Sequence, residues 1–151
     1  MQTRILFREI SPKFYEGLST IGDYAKSLLE PKLIELIKYR ISQINCCPFC
    51  LDMHYKEAAH AGEKELRLHT LPGWRDCPYY TEGERAALAF AEALTEPSKY
   101  GLDDKIYDGL AAHFDKEEIM AITAVVVHIN SWNRINQVFR PEPGKYKIGQ
   151  F

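Results

Sequence analysis

Proline opens three consecutive apolar-periodic segments, at Pro12, Pro31 and Pro48, and this punctuation commits the first part of the chain to helices. Proline has no N–H and holds φ near about −65°, so it suits the first turn of a helix and is expelled from its interior. Behind Ser11-Pro12, the residues Phe14, Leu18, Ile21, Ala25 and Leu28 recur at helical spacing. Behind Pro31, the stripe Leu33, Ile34, Ile37, Ile41 and Ile44 runs to Asn45. Pro48 opens a third helix that continues through Glu57 and Ala58 until Gly62 ends it. No segment alternates with the period of a strand, so the expected fold is all-α.

The remaining punctuation extends the same reading. A short helix is expected over Glu63 to Thr70, followed by a loop from Leu71 to Tyr80 that holds Pro72, Gly73 and Pro78. Thr81 and Glu84 have the spacing of a capping box before the alanine-rich helix Arg85 to Leu94, which stops near Pro97. An amphipathic helix is expected between Asp103 and Phe114. Asp115 and Glu118 then cap a long helix from Ile119 to about Phe139, ended by Pro141 and Pro143. At 151 residues the chain has the length of one domain. The expected division is one domain over 1–151, with an N-terminal helical extension over about 1–30, a core over about 31–139 and a tail over 140–151.

Charge and hydropathy exclude several classes of partner. Nineteen Lys and Arg against twenty-one Asp and Glu give a net charge of −2, without the basic surplus that phosphate backbones attract, so no nucleic-acid partner is expected. The longest nearly apolar run, Ile119 to Ile129, contains His128 and falls well short of the roughly 20 residues that span a bilayer. Arg4, Arg8 and Glu9 interrupt the N-terminus where a secretory signal would be apolar, so no membrane association and a cytoplasmic location are expected. Three of the four cysteines, at positions 46, 47 and 50, crowd together while Cys77 stands apart. In a reducing compartment such clustering marks a redox or metal site.

The chemistry concentrates in Cys47-Pro48-Phe49-Cys50-Leu51-Asp52-Met53-His54. On a helix starting near Pro48, Cys50 and His54 stand one turn apart, so an imidazole lies beside a thiol. Cys47 and Cys50 are separated by three positions, a distance over which two sulfurs close into a small disulfide and cycle with the dithiol. The reactive form is a thiolate, favoured by a helix N-terminus and by a nearby base. These influences point to different sulfurs: the helix terminus favours Cys47 and His54 favours Cys50. An acid is needed to orient His54, and Glu30, Glu35 and Glu57 are all candidates.

The run from Glu35 to Gly62, with Ser42-Gln43-Ile44-Asn45, the Cys47/Cys50 pair, His54 and Ala61-Gly62, resembles the alkylhydroperoxidase AhpD core of the carboxymuconolactone decarboxylase-like superfamily. The resemblance extends to Glu82-Gly83-Glu84-Arg85-Ala86-Ala87-Leu88-Ala89 and to Ile129-Asn130-Ser131-Trp132-Asn133-Arg134. It implies an AhpD-like helical bundle with the CxxC at a helix N-terminus, assembled as a homo-oligomer, commonly a trimer or hexamer. It also implies an oxidoreductase, a thiol-dependent antioxidant peroxidase that reduces organic hydroperoxides with no bound cofactor and draws on an external dithiol or thioredoxin-like reductant. Carried over by position, Cys50 is the peroxidatic cysteine, Cys47 the resolving cysteine and proton donor, His54 the base and Glu35 its partner in a proton relay. The best-known AhpD enzymes carry two repeats and a histidine between the cysteines. This chain has one motif, and Phe49 in that place.

Three other activities fit parts of the pattern. These are a disulfide reductase serving a separate peroxidase, a carboxymuconolactone decarboxylase-like lyase, and a metal-binding oligomer using Cys47, Cys50 and His54 with one of Cys46, Cys77 or His60. The paired cysteines disfavour the lyase. The lack of a second CxxC or an HxxxH disfavours a metal site, and no metal ligand is expected. His128 reads as a satisfied core histidine, Cys46 as a buried or spectator thiol, Cys77 as structural, and Trp132-Asn133-Arg134 as an anchor without chemistry.

Overall fold

The computed structural model describes residues 2–150; Met1 and Phe151, the ends of the expected 1–151 domain, lie outside the described residues. Among the described residues there are seven α-helices and no strand. They are α1 (Pro12–Lys26), α2 (Pro31–Ile44), α3 (Pro48–His60), α4 (Glu65–Thr70), α5 (Glu82–Thr95), α6 (Asp104–Ala111) and α7 (Lys116–Phe139). Each of the three prolines takes the first helical position of α1, α2 or α3. The Thr81/Glu84 capping box forms, with Glu84 N donating to Thr81 Oγ1 at 3.2 Å and Thr81 N to Glu84 Oε2 at 2.8 Å. Asp115 likewise accepts from the amides of Glu117 and Glu118 at the start of α7.

α2 is the hub of the bundle and packs against α3, α5 and α7. Its Ile34, Ile37 and Ile41 enter one core with Val125, Val126 and Ile129 of α7 and Ala87, Phe90 and Ala91 of α5. Its Leu36 enters a second core with Ala58, Leu68, Leu71, Trp74 and Leu88. Each of these large side chains contributes about 1.5–3 kcal/mol by leaving water. α1 lies along α7 and brings Ala25 to the first core.

One segment departs from expectation. Leu71–Asp76 forms 3₁₀ turns on either side of a kink at Gly73, where the Pro- and Gly-bearing sequence predicted a loop. The kinked segment buries both Leu71 and Trp74, and the indole Nε1 of Trp74 donates to Glu92 at 2.9 Å. Burial of that pair outweighs the poor helical propensity of Pro72 and Gly73. No helix of the described residues is long and apolar enough to cross a membrane.

Candidate active site

The Cys47/Cys50 pair sits at the sharp connection between α2 and α3. To reverse the chain within so few residues, Cys46 adopts a left-handed φ of 50°, unusual for a residue with a Cβ. An amide clamp fixes this connection to α7. Asn45 Nδ2 donates to Asn130 Oδ1 at 3.0 Å and Asn133 Oδ1 at 2.9 Å, Asn133 Nδ2 donates to Ser42 Oγ at 3.2 Å, and Gln137 Nε2 reaches Asn45 O at 3.1 Å. Asn133 is fully buried, so losing one of these partners would strand a polar group away from water. Ser42, Asn45, Asn130 and Asn133, which carried much of the family resemblance, thus hold the cysteine turn against the longest helix.

Cys47 caps α3 and Cys50 lies within its first turn; they are joined as a disulfide with their Cα atoms 5.4 Å apart. Both are buried, at 1% and 2% exposure. His54 follows one turn after Cys50, and its Nδ1 meets Glu35 Oε2 at 2.7 Å. Of the three candidate acids, Glu35 is therefore the one that reaches the imidazole. Glu30 caps α2, and Glu57 instead accepts the hydroxyl hydrogen bond of Tyr146. The other oxygen of Glu35 accepts from Lys38 Nζ at 3.0 Å, and Lys38 is itself buried.

Burial opposes ionisation of Glu35, but the His54 ring and the Lys38 ammonium outweigh it and hold its carboxyl at about 2. An ionised carboxylate can only accept. It therefore keeps the proton of neutral His54 on Nδ1 and leaves Nε2 as the basic nitrogen.

Cys50 and His54 line a cavity of about 420 Å³. Its walls are largely aromatic and apolar, from Phe7, Tyr15, Phe49, Met53 and Trp132, with Lys38 and Asn136 among its polar groups. Cys47 does not line it. Cys47 faces a second cleft of about 340 Å³, bounded by Cys46, Pro48, Gln137, Arg140 and Pro141, which Cys50 does not line. Phe49 and Asn136 border both spaces.

Several participants escaped the sequence reading. Asn136 is buried and its Nδ2 donates to Cys50 Sγ at 3.2 Å. Lys38, buried on α2, was not singled out by the sequence. His128 is not a satisfied core histidine: it lines the larger cavity, Nε2 accepts from Trp132 Nε1 at 2.9 Å, and Nδ1 has no hydrogen-bond partner among the described residues. Burial, reinforced by the charge of Lys38, pushes its pKa down to about 4, so the ring is neutral at pH 7. Trp132, expected only as an anchor, is part of the cavity wall. Cys46 is exposed rather than buried, and Cys77 is half-buried. Among the described residues no group of three or more His, Cys, Asp or Glu side chains is arranged to hold a metal ion.

The chain belongs to the carboxymuconolactone decarboxylase family, whose sequence profile matches residues 12–93. Within it the chain is AhpD-like. It is 40% identical to ATU0492 of Agrobacterium tumefaciens, a protein of unknown function provisionally assigned to AhpD-type antioxidant defence, whose crystal structure superposes with a TM-score of 0.89 over 96% of this chain and 100% of that one. The uncharacterized protein YdfG of Bacillus subtilis (strain 168) is 36% identical over 137 residues, 90% of this chain and 93% of its own length. The debrominase Bmp8 shares the fold at 22% identity, with a TM-score of 0.77 over 89% of this chain and 73% of that one.

Proposed function

We propose that the protein is a thiol-dependent peroxidase that reduces organic hydroperoxides through Cys47 and Cys50. The observation that carries this reading is the placement of Cys50 on a largely apolar cavity, one helical turn from a histidine whose far nitrogen is held by a buried, ionised Glu35. In the dithiol state His54 Nε2 takes the proton of Cys50, and the thiolate attacks the distal peroxide oxygen. The O–O bond breaks, the alkoxide leaves with a proton from Cys47 or the relay, and Cys50 becomes a sulfenic acid. Cys47 then displaces hydroxide from that sulfur, which leaves as water, and the disulfide forms before further oxidation can occur. The apolar walls favour an organic peroxide over a small polar one. No cofactor is needed, an external dithiol restores the pair, and the chain works as a cytoplasmic homo-oligomer, a trimer or hexamer. Met120, Val127 and Val138, exposed on α7, offer apolar surface for that assembly.

The test is peptide mass spectrometry of reduced, metal-free protein after brief exposure to stoichiometric cumene hydroperoxide. A rapid Cys47–Cys50 disulfide, with sulfenic acid on Cys50 in the Cys47→Ser variant, is the expected result. Sulfenic acid on Cys47 in the Cys50→Ser variant would reverse the assignment. Absence of fast oxidation at either cysteine would refute peroxidase chemistry and leave disulfide reduction on behalf of another peroxidase.

A further inference from the structure

The two cysteines of the pair line different spaces, and this asymmetry bears on how the disulfide is reopened. We infer that the cleft bounded by Cys46, Cys47, Pro48, Gln137, Arg140 and Pro141 is the docking site of the external dithiol, which attacks Cys47 while Asn136 receives the charge released on Cys50. The inference rests on the redox reading above and adds to it a site for the second substrate.

Two independent observations support it. The first is access: the cleft is lined by Cys47 and not Cys50, whereas the larger cavity is lined by Cys50 and not Cys47. A thiol of the reductant approaching through the cleft therefore reaches Cys47 before Cys50. The second is the leaving group. In thiol–disulfide exchange the sulfur that departs carries the negative charge, and exchange is faster when that thiolate is stabilised. Cys50 Sγ already accepts the Asn136 Nδ2 hydrogen bond at 3.2 Å, inside a buried site where such a bond to an anion gains strength. Arg140, the cation lining the cleft, favours the thiolate form of the approaching reductant.

The exchange balances as follows. One thiolate of the dithiol forms a bond to Cys47 Sγ, the Cys47–Cys50 bond breaks, and its electron pair stays on Cys50. The second reductant sulfur, once deprotonated, attacks the first, expels Cys47 as thiolate and departs as a cyclic disulfide. The two protons given up by the dithiol end on Cys47 and Cys50. Hydroperoxide and reductant thus approach the same pair from opposite sides of the wall formed by Phe49 and Asn136.

The experiment uses full-length protein whose disulfide has been formed with diamide, so it does not depend on peroxide turnover. Reduction by dithiothreitol is followed by quenching and mass spectrometry in wild type, Pro143→Trp and Met53→Trp. Pro143 is exposed at the cleft and Met53 lines the larger cavity, so each indole obstructs one side. Obstruction that misplaces the attacking thiolate makes Pro143→Trp slower than Met53→Trp by about tenfold or more; equal rates, or the reverse order, would overturn the docking site.

A second measurement needs no variant. Brief treatment with 2-mercaptoethanol, quenched with iodoacetamide, places the mixed disulfide on Cys47 and the alkyl group on Cys50, and the opposite distribution would refute attack at Cys47. Asn136→Leu slows reduction about tenfold and raises the Cys50 thiol pKa measured by thiolate absorbance in Cys47→Ser protein, as loss of a hydrogen bond to an anion requires. An unchanged Cys50 pKa would remove Asn136 from the mechanism. Hydroperoxide that fails to oxidise wild type would sink the peroxidase reading while leaving all three comparisons interpretable.

Discussion

Replacing Glu35 with glutamine tests the buried charge cluster in a way that separates electrostatics from packing. In the folded protein the Glu35 carboxyl titrates at about 2, against 4.5 for the free group, because His54 and Lys38 outweigh the burial that opposes its charge. A folded-state value below the unfolded one means that the stabilisation is fully present above about pH 4.5 and is lost as the pH falls through about 2. The gap corresponds to about 3 kcal/mol. Solvent screening takes little from it, since the Glu35 and Lys38 side chains are only 13% and 8% exposed.

At pH 7, Glu35→Gln removes this contribution and leaves Lys38 buried without its carboxylate, for a total loss of about 3–5 kcal/mol. Near pH 2 the wild-type carboxyl is itself substantially protonated, so the difference between the proteins shrinks by most of that amount. Urea unfolding of the disulfide form, followed by far-ultraviolet circular dichroism from pH 7 down to pH 2, reads both quantities. The expected result is a stability gap that closes between about pH 4.5 and 2. Two curves that stay parallel across that window would show that Glu35 is not held ionised by its neighbours, and the argument for its control of the His54 tautomer would fail with it.

Three further predictions concern other parts of the site. His54→Gln slows oxidation of Cys50 by cumene hydroperoxide by about 10²–10⁴-fold, the range for loss of a positioned base, in stopped-flow measurements on reduced protein; a rate within a few-fold of wild type would remove His54 from that role. Gly22→Ala places a Cβ 2.9 Å from Cε1 of His128, where α1 meets α7, and lowers stability by about 1–3 kcal/mol in denaturant unfolding. Adding His128→Ala relieves most of that overpacking, and a purely additive double mutant would refute the contact as its cause. Asp52→Ala removes one anchor of the C-terminal tail, because Asp52 Oδ2 accepts from the amides of Gly144 at 2.8 Å and Tyr146 at 3.3 Å while Lys56 holds their carbonyls. Exchange of those two amides in hydrogen–deuterium measurements accelerates about fivefold or more, the effect of roughly 1 kcal/mol per lost bond.

The legible part of the fold was the part set by local chemistry. Prolines in the first turn, the Thr81/Glu84 and Asp115/Glu118 caps and the 3.6-residue spacing of isoleucines act within a few positions, and they delimit α1, α2, α3, α5 and α7 to within a few residues. Leu71–Asp76 was misread for the complementary reason. Its local signals are those of a loop, and its helical turn depends on Trp74 reaching Glu92 on α5 and on Leu71 entering a core shared with Leu36 and Leu88. The site divides in the same way. Cys47, Cys50 and His54 share one helix end, so spacing alone set them side by side. By the residues alone Glu35 stood among several acids, and only the family resemblance singled it out before the packing of α2 on α3 brought it to His54. Asn136 lies 86 positions from Cys50, and nothing in a lone asparagine near a helix end announces a sulfur partner.

Phe49 shows how a visible substitution acquires meaning only from the fold. The sequence shows an apolar residue where the best-known AhpD enzymes place a histidine, which by itself says only that one base is absent. In the folded chain the ring is buried, stands 5.5 Å from Phe7 and 6.5 Å from Tyr146 between ring centroids, and lies in the wall between the two spaces that the cysteines face. A ring that cannot carry a proton separates the Cys50 side from the Cys47 side. On the proposed reading, His54 with Glu35 then serves Cys50, and Cys47, after giving up its proton in the oxidative half, regains one through its own cleft from solvent or from the incoming dithiol. The same wall that removes one proton carrier divides the pair into an oxidant-facing and a reductant-facing sulfur, so the departure from the family pattern and the two-sided access to the disulfide have one structural origin.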